Sequence, residues 1–466
     1  MGPASARTIA VTCVYTDPDL VPFEPPERPL GLLGLRTLMR NYIETVPRSA
    51  YDQTVTHFRT RMSDVLIVAD PDVIQEILVD TADAFGRDPT TRRSFAPVIG
   101  NTSLFLAEGA EWRWQRRAVA PIFRHETLLS FVPVFAAMAQ RQVERWRDAD
   151  RTTPTDAAAA MTRTTFEIIV EAMLGGSANL DAERYSRALT DNFDTIPWHI
   201  IYVMFSIPEW MPYPHRHRAM RSRDFLHRDI RRIVAARHFS QSSKPDLLNL
   251  MRAARDPETG RSMSDDEIVA NLLTFITAGH ETTAVALTWT LWLLAKDQAT
   301  QQRIFDEVRT VAGDQPIDAA RVEGLAFCRQ VIQEAMRLFP PAPGIARISK
   351  AAVKIGDVQF PPGTRIHIPV FALHRNAGLW DNPDAFDPDR FAPDLVKARP
   401  RFAYLPFGGG PRVCIGGGFA MLEAAAILAT VVRAFRFDPV ADHKPKPVAR
   451  VTLRPAGGMP LLVTER

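Results

Sequence analysis

Toward its C-terminal end the chain reads Phe407-Gly408-Gly409-Gly410-Pro411-Arg412-Val413-Cys414-Ile415-Gly416. Three glycines and a proline make a loop with backbone freedom and little bulk. The loop delivers Cys414 to the start of an apolar run over 419–435 that reads as a helix. A cysteine placed just before a helix sits where unpaired backbone N–H groups and the helix dipole stabilise a thiolate. Gly416, Gly417 and Gly418 remove three more side chains, so that something broad and flat can lie against the backbone. A thiolate presented in this way suits the axial position of a haem iron. The competing reading is a buried core cysteine on a glycine-rich turn, and Cys13 and Cys328 are read that way.

A second cluster of chemical groups lies in a long apolar stretch. Between Asn271 and Ala295 the only formal charge is Glu281, flanked by His280, Thr282 and Thr283. The stretch is long enough to cross a bilayer, but its polar groups fall at the middle, where a lipid-facing helix tolerates them least. A helix buried in a large soluble core is the better reading. Ser264 and Glu267 have the spacing of a capping box, and Asp265 and Asp266 favour the positive end of the dipole. No proline follows until Pro316, so the helix is expected from about Asp265 to Lys296. Within it, Thr282 can bond back to the carbonyl of Ala278, loosening the ladder and bending the helix, with Gly279 supplying space. Further on, Glu334 and Arg337 stand three apart and share a face, where they can pair bidentately.

The elements expected to position these groups are mostly helical. Helices are predicted near 35–45 and over 72–79, 111–118, 128–146, 156–174 and 183–193, with short strands at 55–58 and 64–69. Residues 1–50 are proline-spaced and read as an irregular arm. Region 353–373 is mixed and strand-like, 241–263 reads as a polar surface loop, and 450–463 as a closing hairpin turning at Ala456-Gly457-Gly458. With no internal repeat or low-complexity linker, residues 1–466 are expected to form one mainly α domain with a minor β region.

The 407–416 segment resembles the haem-binding loop of the cytochrome P450 family, whose fixed residues fall here on Phe407, Gly410, Arg412, Cys414 and Gly416 and continue to Phe419-Ala420 and Glu423. Four further segments match in the family's order: Trp112 with Arg116, the 278–283 run Ala-Gly-His-Glu-Thr-Thr, Glu334 with Arg337, and the 386–391 run ending in Arg390-Phe391. The family often has glutamate where this chain has Asp389, but the arginine is retained. The resemblance implies the cytochrome P450 fold, with haem b between the long central helix and the Cys414 loop. It makes Cys414 the iron ligand, places Phe407, Gly408, Gly416, Ala278 and Gly279 against the haem, and gives Trp112, Arg116, Arg347 and Arg412 its propionates. Glu281 becomes the proton source and Thr282 the hydroxyl that hands protons on, while His280 points away from the iron. Arg390 would complete a triad with Glu334 and Arg337; the bland alternative is a surface ion pair. Arg113, Arg117, Lys397, Arg399 and Arg401 would form a basic docking surface.

The activity so implied is a monooxygenase that inserts one atom of dioxygen into a C–H bond of a hydrophobic small molecule. Candidate pocket positions are Leu104, Phe105, Leu272, Phe275, Ala278, Ile345, Ala346 and Met459. The wording of the motifs leans toward fatty-acid and xenobiotic hydroxylases, with terpenoids or steroids possible. Few residues follow Cys414, so electrons are expected from a separate ferredoxin and its reductase or a flavoprotein reductase. The rivals are a peroxide-using or isomerising haem-thiolate enzyme and a non-catalytic haem sensor.

Composition bounds the rest. With 466 residues, 46% hydrophobic and 23% charged, the chain is globular rather than disordered. A net charge of +3 is too small to argue for nucleic acid. Three cysteines cannot form a disulfide scaffold. No signal peptide or transmembrane segment is read, so a soluble, cytoplasmic monomer is expected. The arginine-rich stretch 215–237 reads as a solvated helix, with attraction to an acidic substrate or a membrane surface as the minority reading. Phe193, Trp198, Tyr202, Phe205, Trp210 and Tyr213 form an aromatic lid candidate.

Overall fold

The computed structural model describes residues 34–466 apart from 53–54, 60–63, 151–152, 176–179, 238–245 and 357, so most of the proline-spaced arm lies outside the described residues. The central helix spans Asp265–Lys296. Its start is fixed locally, because Ser264 Oγ accepts the Glu267 N–H at 3.3 Å while Glu267 accepts the Ser264 N–H at 2.7 Å. It is apolar on every side and therefore belongs in the middle of the protein. Helices Ala157–Leu174, Arg216–Ala236, Ala326–Leu338 and Gly417–Ala434 pack around it. Gly417–Ala434 is long and apolar enough to cross a bilayer by composition, yet it is mostly buried in the same core. That core is continuous from Ile43 to Leu461.

Among the described residues the strands form four small sheets. Asp64–Val68 joins Val55–Arg59 antiparallel and Arg365–Ile368 parallel, and Ile345–Ser349 and Phe85–Gly86 complete a five-stranded sheet. Three expectations are corrected. Segment 450–463 is not a hairpin: Leu453–Pro455 pairs back with Pro447–Ala449, whereas Pro460–Glu465 pairs with Phe435–Pro439 and Thr155–Asp156. Gly457 (φ +80°) and Gly458 (φ +88°) turn the chain from one sheet to the other. Segment 241–263 contains the helix Leu247–Ala253, started by Asp246, whose carboxylate accepts the Asn249 N–H at 2.8 Å. The helix expected over 128–146 is broken, because Pro133 has no N–H to give Leu129; Val132–Asp148 starts afresh after His125–Leu129.

Three buried histidines make the fold acid-sensitive. Burial lowers His367 to about 4, and burial aided by Arg93 lowers His199 to about 4. Burial, with Arg337 and Arg375 nearby, lowers His374 to about 3. Below the ordinary histidine value of ~6.5 the unfolded chain binds protons that the folded chain refuses, so stability is full above that pH and is lost as pH falls. His374 Nε2 accepts the Leu405 N–H at 2.8 Å, just before the cysteine loop, and protonation breaks that bond. Urea unfolding at pH 7 and 4.5 is expected to show a loss of about 3 kcal/mol or more; equal midpoints would refute it.

Candidate functional site

The cysteine loop is folded by close backbone approach. At Gly410 (φ +69°) an added Cβ would lie 1.9 Å from the Leu78 carbonyl oxygen, which the π-helical turn Glu76–Asp80 pushes against the loop. Only glycine fits. The Cys414 N–H donates to the Phe407 carbonyl at 2.9 Å. Cys414 is accessible although it is surrounded by protein, so its thiol borders an internal space rather than the outer surface. Burial pushes the thiol pKa up, and the Gly416 N–H and the Arg116 guanidinium pull it back. Cys328, the other cysteine among the described residues, is fully buried, and burial raises its pKa beyond the usual range. The glycines after Cys414 act differently from expectation. Gly417 would meet the Phe407 ring and Gly418 would meet Leu128, leaving Gly416 as the one nearest the sulfur.

On the central helix, Ala278 is exposed and Gly279 and Thr282 are half-buried, in the middle of an otherwise buried rod. An internal space therefore reaches the helix there. Thr282 Oγ1 donates to the Ala278 carbonyl at 2.7 Å as its spacing predicts, and the helix stays continuous through it. His280 is buried, with Nδ1 at 2.8 Å from the Ile276 carbonyl, and does not face the space. Thr165 on the neighbouring helix adds a hydroxyl bond to the His280 carbonyl at 2.7 Å. Gly279 has a packing role, since a Cβ there would come within 2.9 Å of Ile169. Glu281 is buried and committed elsewhere: Thr452 Oγ1 donates to it at 2.5 Å and Arg454 Nε pairs with it at 2.6 Å. The ion-pair role describes its resting state.

The expected cations do gather. Arg412 lies over the Trp112 ring at 4.1 Å and donates to the Ala107 carbonyl at 2.8 Å. Burial, reinforced by Arg347, lowers Arg412 to about 10, and burial lowers Arg347 as well. A further arginine went unrecognised in the sequence: burial beside Arg347 and Arg412 drops Arg87 to about 9. Nothing local marks Arg87, which reaches the cluster through its cation–π contact with Phe105 at 4.5 Å. The three crowded guanidiniums share Glu108, with Asp83 acting on Arg412 as well, and Arg116 acts on Cys414 itself. A cofactor carrying two carboxylates and a metal that accepts sulfur fits this set of residues.

Other expectations divide. Arg117 is held by Asp256 at 2.8 Å and Glu258 at 3.0 Å, and Arg399 by the Arg390 carbonyl at 2.6 Å, so neither is free for docking. Of the pocket candidates, Phe105, Ile345 and Ala346 are partly accessible, as Ala278 is fully, whereas Leu272 and Met459 are sealed in the core. The triad forms. Arg337 grips Glu334 at 2.7 and 2.8 Å, and Arg390 Nε lies 3.5 Å from the same carboxylate.

A family model described as Cytochrome P450 matches residues 33–461. The chain belongs to the cytochrome P450 family. It is 31% identical over 394 residues to cyclooctatin synthase of Streptomyces melanosporofaciens, covering 84% of each chain. It is 29% identical to cytochrome P450 4A2 of Rattus norvegicus (85% of this chain, 80% of that one) and 28% identical to taurochenodeoxycholic 6 alpha-hydroxylase of Sus scrofa (85% and 81%). Its fold is similar to the crystal structure of the cytochrome P450DA heme domain, with a TM-score of 0.81, 24% identity and coverage of 95% and 97%. This P450 is a monooxygenase that binds haem through a cysteine thiolate and takes a small-molecule substrate, dioxygen and electrons from redox partners.

Proposed function

We infer that this P450 hydroxylates a hydrophobic small molecule, with Cys414 as the iron ligand and Thr282 and Glu281 as the proton-handling pair. The supporting observation is that Cys414 is accessible on its loop and that Ala278, Gly279 and Thr282 are accessible in the middle of an otherwise buried helix. Haem, when bound, would supply dioxygen activation, with the Cys414 thiolate as its electron-donating ligand. Arg87, Arg347 and Arg412 would hold its carboxylates. Thr282, bonded to the Ala278 carbonyl, holds a hydroxyl at the accessible face. Glu281 rests on Arg454, whose side chain is 42% exposed, so solvent water beside that pair is the proton source for the carboxylate, whose rotation then brings the proton toward Thr282. The apolar lining by Phe105, Ala278, Ile345 and Ala346 suits an apolar substrate, with fatty acids and xenobiotic-like molecules ranked ahead of terpenoids and steroids. Electrons come from a separate ferredoxin system or flavoprotein reductase, and the chain works as a monomer.

The reading is tested by titrating the ferric protein with fatty acids, terpenoids and steroids. A saturable low-to-high-spin shift with one class is expected; no shift with any would remove the substrate assignment. With that substrate, Thr282→Ala is expected to lower product per reducing equivalent by roughly tenfold or more and to raise hydrogen peroxide in proportion. Unchanged coupling would refute the proton-delivery role and favour the peroxide-using rival.

A further inference from the structure

Strand Arg365–Ile368 pairs antiparallel with Ile345–Ser349, which sets His367 directly opposite Ala346. Cross-strand partners share a face, so His367 lies on the same side of the sheet as Ala346, one of the accessible pocket positions. Ile345 and Arg347 point to the other side. There an added Cβ on Gly408 of the cysteine loop would touch Ile345 at 3.8 Å, and Arg347 joins the cation cluster. His367 is enclosed by protein yet partly accessible, so its ring borders space inside the fold.

The partner of His367 comes from far along the chain. Tyr42 Oη bonds to His367 Nε2, and the two rings meet edge to face at 5.1 Å. Tyr42 opens the turn Tyr42–Thr45 and is held from both sides. Ile43 is fully buried, while Asn41 donates to the Pro447 carbonyl at 2.9 Å and accepts the Ala449 N–H at 2.8 Å. Gly344 makes room for the pair, since a Cβ there would lie 2.8 Å from the imidazole and 2.9 Å from Tyr42 Oη. The pair is therefore fixed against the 344–346 wall before any ligand arrives.

Its hydrogen-bonding capacity is only half used. Among the described residues His367 Nδ1 has no partner, and Tyr42 Oη has only the imidazole. Burial lowers His367 to about 4 and no charged group acts on it, so the ring is neutral at pH 7. If the phenol donates to Nε2, Nδ1 carries a free N–H and the phenol oxygen keeps an acceptor site. If Nε2 donates instead, the phenol O–H is free and Nδ1 is the acceptor. Either tautomer leaves one donor and one acceptor, with no net charge. An uncharged oxygen matches this pair, whereas a carboxylate brings a charge that no cation meets.

We propose that Tyr42 and His367 form a recognition site for a hydroxyl or carbonyl oxygen that the substrate carries away from its reacting carbon. Such a site rests on the substrate being apolar, as inferred from the pocket lining, and narrows it: a fatty chain enters as its alcohol or another neutral derivative rather than as the ionised acid.

The test is spectral titration of the haem-loaded ferric protein with 1-dodecanol, 1-chlorododecane and dodecanoate, which share an apolar chain and differ at its end. Dodecanol is expected to bind about tenfold tighter than either of the others, or more. Combined Tyr42→Phe and His367→Leu replaces both polar partners by apolar groups, which leaves stability near that of the parent. It should erase the advantage of the alcohol and keep the chloride within about threefold of its parent affinity. The reduced carbonyl spectrum checks that haem is bound as before. Equal binding of alcohol and chloride to the parent, or tighter binding of dodecanoate, would overturn the proposal alone. So would a double variant that weakens every ligand alike, because the pair would then be a structural contact. No saturable shift with any of them would overturn the apolar-substrate reading, and the proposal with it.

Discussion

Cys414→Ser is expected to abolish turnover and replace the thiolate signature of the reduced carbonyl complex, while leaving the chain folded. Cys414 is accessible, so losing its sulfur leaves no hole in the core, and the structural cost stays below about 1 kcal/mol. A hydroxyl cannot supply the electron donation of a thiolate. Cys328→Ser should behave in the opposite way. Cys328 is 0% exposed, its sulfur near the Ala425 carbonyl at 3.8 Å, so a hydroxyl there costs about 1–3 kcal/mol and leaves the spectrum intact. Absorption spectra and urea unfolding of the two variants decide the matter together. A Cys414→Ser protein that kept the thiolate spectrum would move the ligand elsewhere.

The second large effect is on stability. Arg337 and Glu334 are both fully buried. The guanidinium uses all five of its N–H donors: two on Glu334, and the others on the carbonyls of His374 at 2.9 Å, Pro383 at 2.5 Å and Ala385 at 2.8 Å. Glu334 also accepts the Asp387 N–H at 2.9 Å. One side chain thus ties the helix Ala326–Leu338 to the long segment leading to the cysteine loop. Arg337→Lys keeps the charge but has three donors and no planar fork, so at least two of the five acceptors lose their partner. A loss of about 2–5 kcal/mol is expected, with faster haem release, because each buried acceptor left without its donor costs about 1–3 kcal/mol. A urea midpoint within ~1 kcal/mol of the parent would show that the network is replaceable. Arg390 is expected to matter less, since Glu334 keeps both bonds to Arg337 without it.

What the sequence determined by itself is what local spacing controls. The limits of the central helix follow from a cap at Ser264 and an apolar run without proline. The Thr282 bond to Ala278 is one helical turn, the Glu334–Arg337 pair is three residues, and the cysteine loop is a contiguous string. Each interaction closes within a few residues, so residue type and spacing suffice to predict it. Tertiary structure decided whatever needs partners far along the chain. Glu281 finds Thr452 and Arg454, some 170 residues away, and so rests as an ion pair rather than facing Thr282. Arg87 meets Arg347 because the strand before it, Phe85–Gly86, pairs with Ile345–Ser349, and Arg412 reaches both from the cysteine loop. Gly279 is small because Ile169 from another helix stands against it, and Gly410 because the Leu78 carbonyl does. The final strands alternate as a hairpin would, but each pairs with a different sheet, because alternation fixes which face is buried and not which edge is met. Burial has the same origin: one stretch of aromatic residues supplies both the sealed Tyr202 and the exposed Trp210, and the packing of neighbouring elements alone separates them.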